Sequence, residues 1–103
     1  PPTTDEEVMR DEYLQRIAQP ARTSKRLAPG ITRQVILRLC WTRELTARQI
    51  SMLLGRQQAA IQHRFLREMV LVGDLLLRFP ADPNRPDQAY RAASAGERPP
   101  TET

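Results

Sequence analysis

The sequence predicts a mainly α-helical fold with a small β-hairpin, and three observations in its second half carry that prediction. A capping box precedes a short amphipathic helix, a glycine stands where each of two helices should end, and an alternating apolar run follows. The residues concerned are Thr46 and Gln49 (capping box), Gly55 and Gly73 (helix ends), and Leu75, Leu77 and Phe79 (alternating run). Two helices across a tight turn, followed by a strand, indicate a winged helix-turn-helix, although any small helical hairpin has similar spacing.

An additional helix is predicted at the N-terminal end of the sequence. Thr4 and Glu7 form another capping-box pattern, and apolar residues then recur every three or four positions. We expect an amphipathic helix from about Asp5 to Ala18, stopped by Pro20. Its apolar side has to pack on the rest of the domain or on a partner, and consists of Met9, Tyr13, Leu14 and Ile17. The basic connector 22–30 either contacts phosphates or is a solvated linker.

The central segment predicts the first core helix, from Pro29 to about Trp41. Its expected buried residues are Ile31, Val35, Ile36, Leu39 and Cys40. A short strand should follow near residues 41–45, with Trp41 in the core or at its rim. Residues 88–91 can pair antiparallel with the strand at 75–79, and the proline-rich loop between them would protrude as a wing with Arg85 at its tip. The predicted organisation is an N-terminal helix and connector (1–28), the winged helix (29–92) and a disordered tail (93–103).

Composition excludes several functional classes. No apolar run approaches the length of a membrane span, no signal-peptide pattern is present, and the single cysteine, Cys40, has no disulfide partner. A lone His63 cannot form a metal site without other ligands. We find no nucleophile or phosphate-loop motif, so we expect neither enzymatic activity nor a cofactor in this chain. A cytoplasmic location fits best, and a start at Pro-Pro without methionine indicates a piece of a longer protein.

The placement of charge is more informative than its total of +4. Of the 16 basic residues, 15 are arginine, and residues 13–67 hold eleven basic residues against one acid, Glu44. Such a local excess, about +10 with the acids at the two ends of the chain, attracts polyanions and nucleic acid first. The alternative is a solvated arginine-rich surface.

The second helix of the pair offers the candidate contact surface. At helical spacing, one side of it is apolar and the opposite side is polar without an acid. Arginine can pair with guanine and glutamine with adenine, and the preceding helix can reach phosphates. The candidate DNA-binding residues are Arg48, Ser51, Arg56, Gln57, Gln58, His63, Arg64, Arg67 and Arg85.

Three stretches of the chain resemble one bacterial family. DEYLQRIAQPARTSKRLAP, LTARQISMLLGR and the wing segment LRFPADPNRPDQAYR are similar to the C-terminal winged helix of proteins called ATP-dependent DNA helicase RecG-related, which carry a Schlafen/AlbA-like divergent ATPase domain upstream. The resemblance implies a tail module of a larger ATP-binding protein. One departure is that Leu66 and Met69 are displaced by one residue relative to Ile61, which a bulge or slight rotation of the helix would accommodate.

Two functions from different classes follow. The first is a duplex-DNA-binding module of a larger bacterial protein, with transcription regulation as an expected use. The second is a protein–protein interaction module. In that case the N-terminal helix would form a homodimer, or would dock on the upstream ATPase domain, through Met9, Tyr13, Leu14 and Ile17, with Leu71 and Leu76 as further contacts.

Overall fold

The computed structural model describes residues 4–24 and 28–93. These ranges form α1 (Asp5–Arg10), α2 (Glu12–Thr23), α3 (Pro29–Thr42), β1 (Leu45–Thr46), α4 (Ala47–Leu54), β2 (Leu75–Leu77) and β3 (Ala89–Ala92). Between α4 and β2 runs a continuous helix, α5 (58–71), built from α-helical Gln58–Ile61, π-helical Gln62–Leu66 and α-helical Arg67–Leu71. The predicted mainly α-helical fold with a small β-hairpin is confirmed.

The strands form one antiparallel sheet in the order β1-β3-β2. Leu45 is paired with Tyr90, and Leu77 is paired with the same residue from the other side. Strand β3 is therefore the central strand of the sheet. It forms a hairpin with β2, and the two strands are connected by an eleven-residue loop (78–88), called the hairpin loop below.

All five helices contribute to a single hydrophobic core. Val8 of α1 and Leu14 of α2 are completely buried, as are Ile36 of α3, Ile50 of α4 and Met69 of α5. The apolar side of the N-terminal region thus packs on the rest of the domain, which was one of the two arrangements that its sequence pattern allowed. Burial of large side chains of this kind stabilises a fold by about 1.5–3 kcal/mol each.

The predicted single helix from Asp5 to Ala18 is wrong, because Asp11 divides it. The Asp11 side chain accepts hydrogen bonds from the backbone N–H groups of Tyr13 (3.0 Å) and Leu14 (3.2 Å), so it caps α2 while ending α1. Pro20 also fails to stop the helix, which continues to Thr23. Ala21, just beyond the proline, is buried, and its packing holds the last turn in place despite the hydrogen bond that proline cannot donate.

The turn between α4 and α5 has the predicted local chemistry. Thr46 and Gln49 form a reciprocal capping box, and Gly55 adopts a left-handed conformation with φ of 66°. Gly73 likewise has φ of 87° after α5, and the next residue, Asp74, donates its N–H to the Met69 carbonyl at 2.8 Å. These bonds satisfy carbonyls that a helix end leaves without partners.

A glycine-to-alanine pair tests the importance of that turn. We expect Gly55→Ala to lower the free energy of unfolding by about 1–2 kcal/mol, because a Cβ disfavours positive φ. No atom lies within 4 Å of the added Cβ, so the cost is conformational, not steric. Gly30→Ala in the first turn of α3 meets equally open space at ordinary φ and should instead stabilise by about 0.5–1 kcal/mol. Urea denaturation measures both, and equal stability of the two variants would contradict the assigned turn.

The π-helical turn in α5 resolves the unusual spacing of its apolar residues. The Arg67 N–H donates to the Gln62 carbonyl, five residues back, so the turn holds one residue more than an α-helical turn. The extra residue rotates the following segment by about 100°, which brings Leu66 and Met69 into the core together with Ile61. The predicted bulge or rotation is therefore confirmed. The same rotation leaves Val72, predicted on the apolar side, 44% exposed.

Several further residues differ from expectation. Ile31, predicted in the core, is 48% exposed because it lies in the first turn of α3, away from the packed side of the helix. Trp41, predicted in the core or at its rim, is 65% exposed. Ala93, assigned to the tail, is buried and donates its N–H to the Asp74 carbonyl at 3.0 Å. Residues 94–103, with the rest of the predicted tail, lie outside the described residues, as do Lys25 and Arg26 of the basic connector.

Candidate nucleic-acid interface

Two adjoining grooves run between α5 and the hairpin loop, and they bring together most of the predicted contact residues. The first groove also reaches the start of α4, and its lining includes Asp5, Arg48, Gln58, Gln62, Asn84 and Arg85. The second lies further along α5, and its lining includes Gln62, His63, Arg67, Pro83, Asn84 and Tyr90. One continuous surface therefore joins the start of α4, the outer side of α5 and the loop.

The outer side of α5 is exposed as the sequence predicts. Gln57 caps the start of α5 with its backbone, and its side chain takes no part in capping. We call Gln57, Gln58, His63, Arg64 and Arg67 the α5 outer face; all five are exposed. Arg64 has its guanidinium carbon 5.9 Å from the centre of the Phe65 ring. Among the described residues neither Arg64 nor Arg67 forms an ion pair, so both charges remain available to a ligand.

Two predicted contacts of the helix pair have structural roles instead. Ser51 is buried, and its hydroxyl donates to the Arg48 carbonyl at 2.7 Å, so it cannot reach a phosphate. Arg56 donates from Nη2 to the carbonyls of Ala21 (3.2 Å) and Ser24 (2.9 Å). Its guanidinium thus binds the C-terminal end of α2, where a cation is favoured. The sequence placed both residues by their distance from the turn and did not show that the C-terminal end of α2 lies beside Arg56.

Arg48 and Arg85, two further predicted DNA contacts at the edges of the surface, are exposed, but each is paired with a carboxylate of the chain. Arg48 Nε lies 3.2 Å from Asp5 Oδ2. Arg85 forms a two-pronged ion pair with Asp87 (2.9 and 3.1 Å) and lies over the Phe79 ring at 3.9 Å. The hydrogen bond with Asp87 raises the pKa of Arg85 and lowers the pKa of Asp87. To bind a DNA phosphate, each of these arginines has to give up its pairing with a carboxylate of the chain, which reduces its expected contribution to binding.

The hairpin loop is organised by Gln88, which sequence reasoning did not select. Its side chain is 5% exposed, and its amide bonds both backbone polar groups of Phe79 at 2.9 Å. The same Nε2 donates to the Asp82 carbonyl at 3.2 Å, and Oε1 accepts from the Ala89 N–H. One buried side chain therefore adds to the backbone hydrogen bonds of the loop, which include Asp82 N–H to the Phe79 carbonyl and Gln88 N–H to the Arg85 carbonyl, both at 3.1 Å. The available signal was the glutamine at the start of the returning strand, within the P-N-x-P-x-Q-A-Y-R segment.

Gln62 and Tyr90 are further residues of the surface that the sequence did not indicate. Gln62 lines both grooves, and its side chain reaches the Tyr90 hydroxyl. Regular helical spacing places Gln62 toward the apolar side of α5, which is why the sequence alone did not indicate it as a contact residue. Partial burial raises the pKa of Tyr90.

Folding also changes the expected charge distribution. The acids at the N-terminal end do not stay apart from the basic middle: Asp5 pairs with Arg48, and Asp11 lies 3.7 Å from Arg43. Glu68 is exposed on α5, contrary to the expectation of an outer side without acids, because the π-helical turn rotates it outward. Glu68 and Asp74 flank Arg33 at 3.0 and 3.3 Å. The positive field is therefore narrower than the sequence suggests, and it is concentrated at Arg64 and Arg67 on this surface.

The residues predicted to contact a protein partner divide into two groups. Leu14 and Ile17 are buried in the chain's own core and are not available as a dimer surface, whereas Met9 is partly buried against that core. Tyr13 is 55% exposed and lies with Leu37 and Trp41 along a shallow apolar groove between α2 and α3. Leu71 is 83% exposed, as predicted, whereas Leu76 is partly buried in β2.

The ionisable residues outside this surface offer little further chemistry. Cys40 is buried, and burial raises the pKa of its thiol above the ordinary value. In residues 4–24 and 28–93, no group of three or more histidine, cysteine, aspartate or glutamate side chains is arranged to hold a metal ion. No helix in those ranges has the length and apolar character needed to cross a bilayer.

Comparison of the chain with protein families, curated proteins and solved structures finds no match. The resemblance to the C-terminal domain of RecG-related proteins therefore stays a prediction.

Proposed function

We propose that this domain binds duplex DNA with α5 in the major groove and the hairpin loop beside it. The observation that carries the proposal is the pair Arg64 and Arg67, two exposed arginines three residues apart on the outer side of a helix, with no ion-pair partner among the described residues. Cations on the exposed side of a helix suit both phosphate oxygens and the acceptor edge of guanine.

The order of elements supports this proposal. Helix α3, strand β1, helices α4 and α5 and the β2–β3 hairpin follow one another as in a winged helix-turn-helix, a fold whose second motif helix enters the major groove. In that arrangement α5 would be the recognition helix, the hairpin loop would be the wing, and Gln57 and Gln58 would face base edges. The α5 residues supply most of the binding, because Arg48 and Arg85 are held by Asp5 and Asp87.

The parent protein is part of the same proposal. We infer from the resemblance that the domain is a module of a larger bacterial ATP-binding protein, which it would bring to DNA. The domain itself would contribute binding and no chemistry. A cytoplasmic location is the corresponding proposal.

Fluorescence anisotropy with a labelled random 20-base-pair duplex tests DNA binding directly. We expect micromolar affinity at 50 mM salt that falls steeply by 200 mM, with about two to four phosphates neutralised and a slope of log affinity on log salt of about −2 to −4. This slope is smaller than the total number of arginines suggests, since several of them are paired internally. The absence of binding at 50 mM salt would overturn the proposal.

A protein-interaction function is favoured by a different observation, the exposed aromatic pair Tyr13 and Trp41 beside Leu37. Exposed aromatic side chains are enriched at protein interfaces. Sedimentation analysis discriminates this function, since a dimer that Trp41→Ala makes monomeric would support assembly. The two functions use separate surfaces and are therefore compatible.

A further inference from the structure

The carboxylate of Asp5 lies against the first turn of α4 and is engaged through both of its oxygens. Arg48 Nε approaches Oδ2 at 3.2 Å, and Gln49 Nε2 donates to Oδ1 at 3.1 Å. These two residues are consecutive at the start of an eight-residue helix, where the helix dipole favours an anion. An arginine, an amide donor and a helix N-terminus together are the groups that bind a phosphate oxygen pair.

Asp5 lies at the edge of the proposed DNA surface. Asp5 lines the same groove as Gln58, Gln62 and Arg85. A duplex seated on α5 and the hairpin loop would carry its backbone past the start of α4, because the helix that precedes the recognition helix crosses the backbone in this class of fold. The carboxylate therefore stands where a backbone phosphate would come.

The attachment of α1 explains how the carboxylate is held there. Helix α1 has six residues, a reciprocal Thr4–Glu7 capping box and one completely buried side chain, Val8. The packing of Val8 holds Asp5 beside α4. A rotation of the Asp5 side chain alone leaves that packing in place and breaks the bonds of the carboxylate with Arg48 and Gln49.

We infer that Asp5 occupies a phosphate-binding position formed by Arg48 and Gln49, and that it competes with DNA for Arg48. This inference rests on the proposed function. It assigns to α1 an inhibitory role in DNA binding, exerted by a carboxylate in place of a phosphate.

Duplex affinities of Asp5→Asn and Glu6→Gln test the inference. Asparagine keeps the shape and the Oδ1 acceptor of Asp5 while removing its charge. Glu6→Gln makes the same change of net charge on the same helix, at a side chain that is 81% exposed and pairs only with Arg10 among the described residues. We expect Asp5→Asn to bind about three- to tenfold more tightly at 50 mM salt, with a salt slope steeper by about 0.9, the value for one more phosphate. Glu6→Gln should change the affinity by less than about twofold.

The same pair is then measured in an Arg48→Ala background, where the gain from Asp5→Asn should disappear. Three results would overturn the inference: Asp5→Asn binding like the wild type, Glu6→Gln giving an equal gain, or the gain persisting without Arg48. If none of the proteins binds the duplex at 50 mM salt, the proposed function fails and this inference fails with it. Binding by the wild type without an effect of Asp5→Asn rejects the inference alone.

Discussion

Replacing Arg64 and Arg67 together by alanine is expected to weaken duplex binding by about 100-fold, at roughly 1.4 kcal/mol for each arginine. The two side chains are the exposed cations of the α5 outer face that no described acid neutralises. If the two arginines contact only phosphates, their removal should lower binding to all DNA sequences alike, and the salt slope should become shallower by about 2. If they contact bases, their removal should weaken binding to a preferred site more than binding to random DNA. Anisotropy titrations on both duplexes separate these cases.

The matched control is Arg16→Ala with Arg22→Ala. These two arginines are exposed on α2, lie in a separate groove on that helix and remove the same total charge. We expect this variant to lose less than about threefold in affinity, because its charges lie outside the proposed interface. Wild-type affinity in the Arg64/Arg67 variant, or an equal loss in the α2 variant, would sink the assignment of α5. Thermal unfolding should be similar in both, since all four side chains are exposed.

Replacing Gln88 by alanine is expected to lower the free energy of unfolding by about 2–4 kcal/mol. The substitution removes four hydrogen bonds of the amide, to the Phe79 N–H and carbonyl, the Asp82 carbonyl and the Ala89 N–H. The two carbonyls keep backbone partners, the Asp82 N–H and the Arg85 N–H, whereas the partly buried Phe79 N–H loses its amide acceptor. Gln88→Glu keeps the length of the side chain but lacks the amide donors, so it should destabilise at least as much. Urea unfolding measures the free energies, and amide exchange at Phe79 reports opening of the loop.

Gln34→Ala on α3 is the control, because that glutamine is exposed. It should stay within about 0.5 kcal/mol of the wild type. A Gln88→Ala protein that unfolds at the wild-type urea concentration would show that the loop does not depend on this amide. A stability loss limited to Gln88→Ala, with Gln88→Glu unaffected, would point to packing volume in place of hydrogen bonding.

The parts of the fold that the sequence predicted well are those determined by neighbouring residues. The Thr46–Gln49 capping box and the left-handed glycines at positions 55 and 73 depend only on a few consecutive residues. The break at Asp11 is equally local, but the continuous apolar repeat through it favoured one helix. A capping aspartate and a helix-interior aspartate look alike until the chain on both sides is placed.

The candidate site was harder to predict because its electrostatics depend on distant residues. Arg56 and Ala21, and Arg48 and Asp5, are brought together by the docking of α1 and α2 on α4, which no spacing rule anticipates. The π-helical turn had a sequence signal in the offset of Leu66, but its direction of rotation, which exposes Glu68, needed the structure. The exposed arginines of α5 were predictable because an amphipathic helix has one polar side whatever it packs against.

The strand order determines which elements can form first during folding. Strand β3 is the last of the described strands in the chain and the central one in the sheet, so neither β1 nor β2 has a neighbour until residues 89–92 are in place. The pairing of Leu45 with Tyr90 closes a loop of about 45 residues, and such distant contacts form late. We therefore expect the helices to assemble before the sheet, and a fragment ending before Ala89 to keep helical structure while leaving both outer strands unpaired.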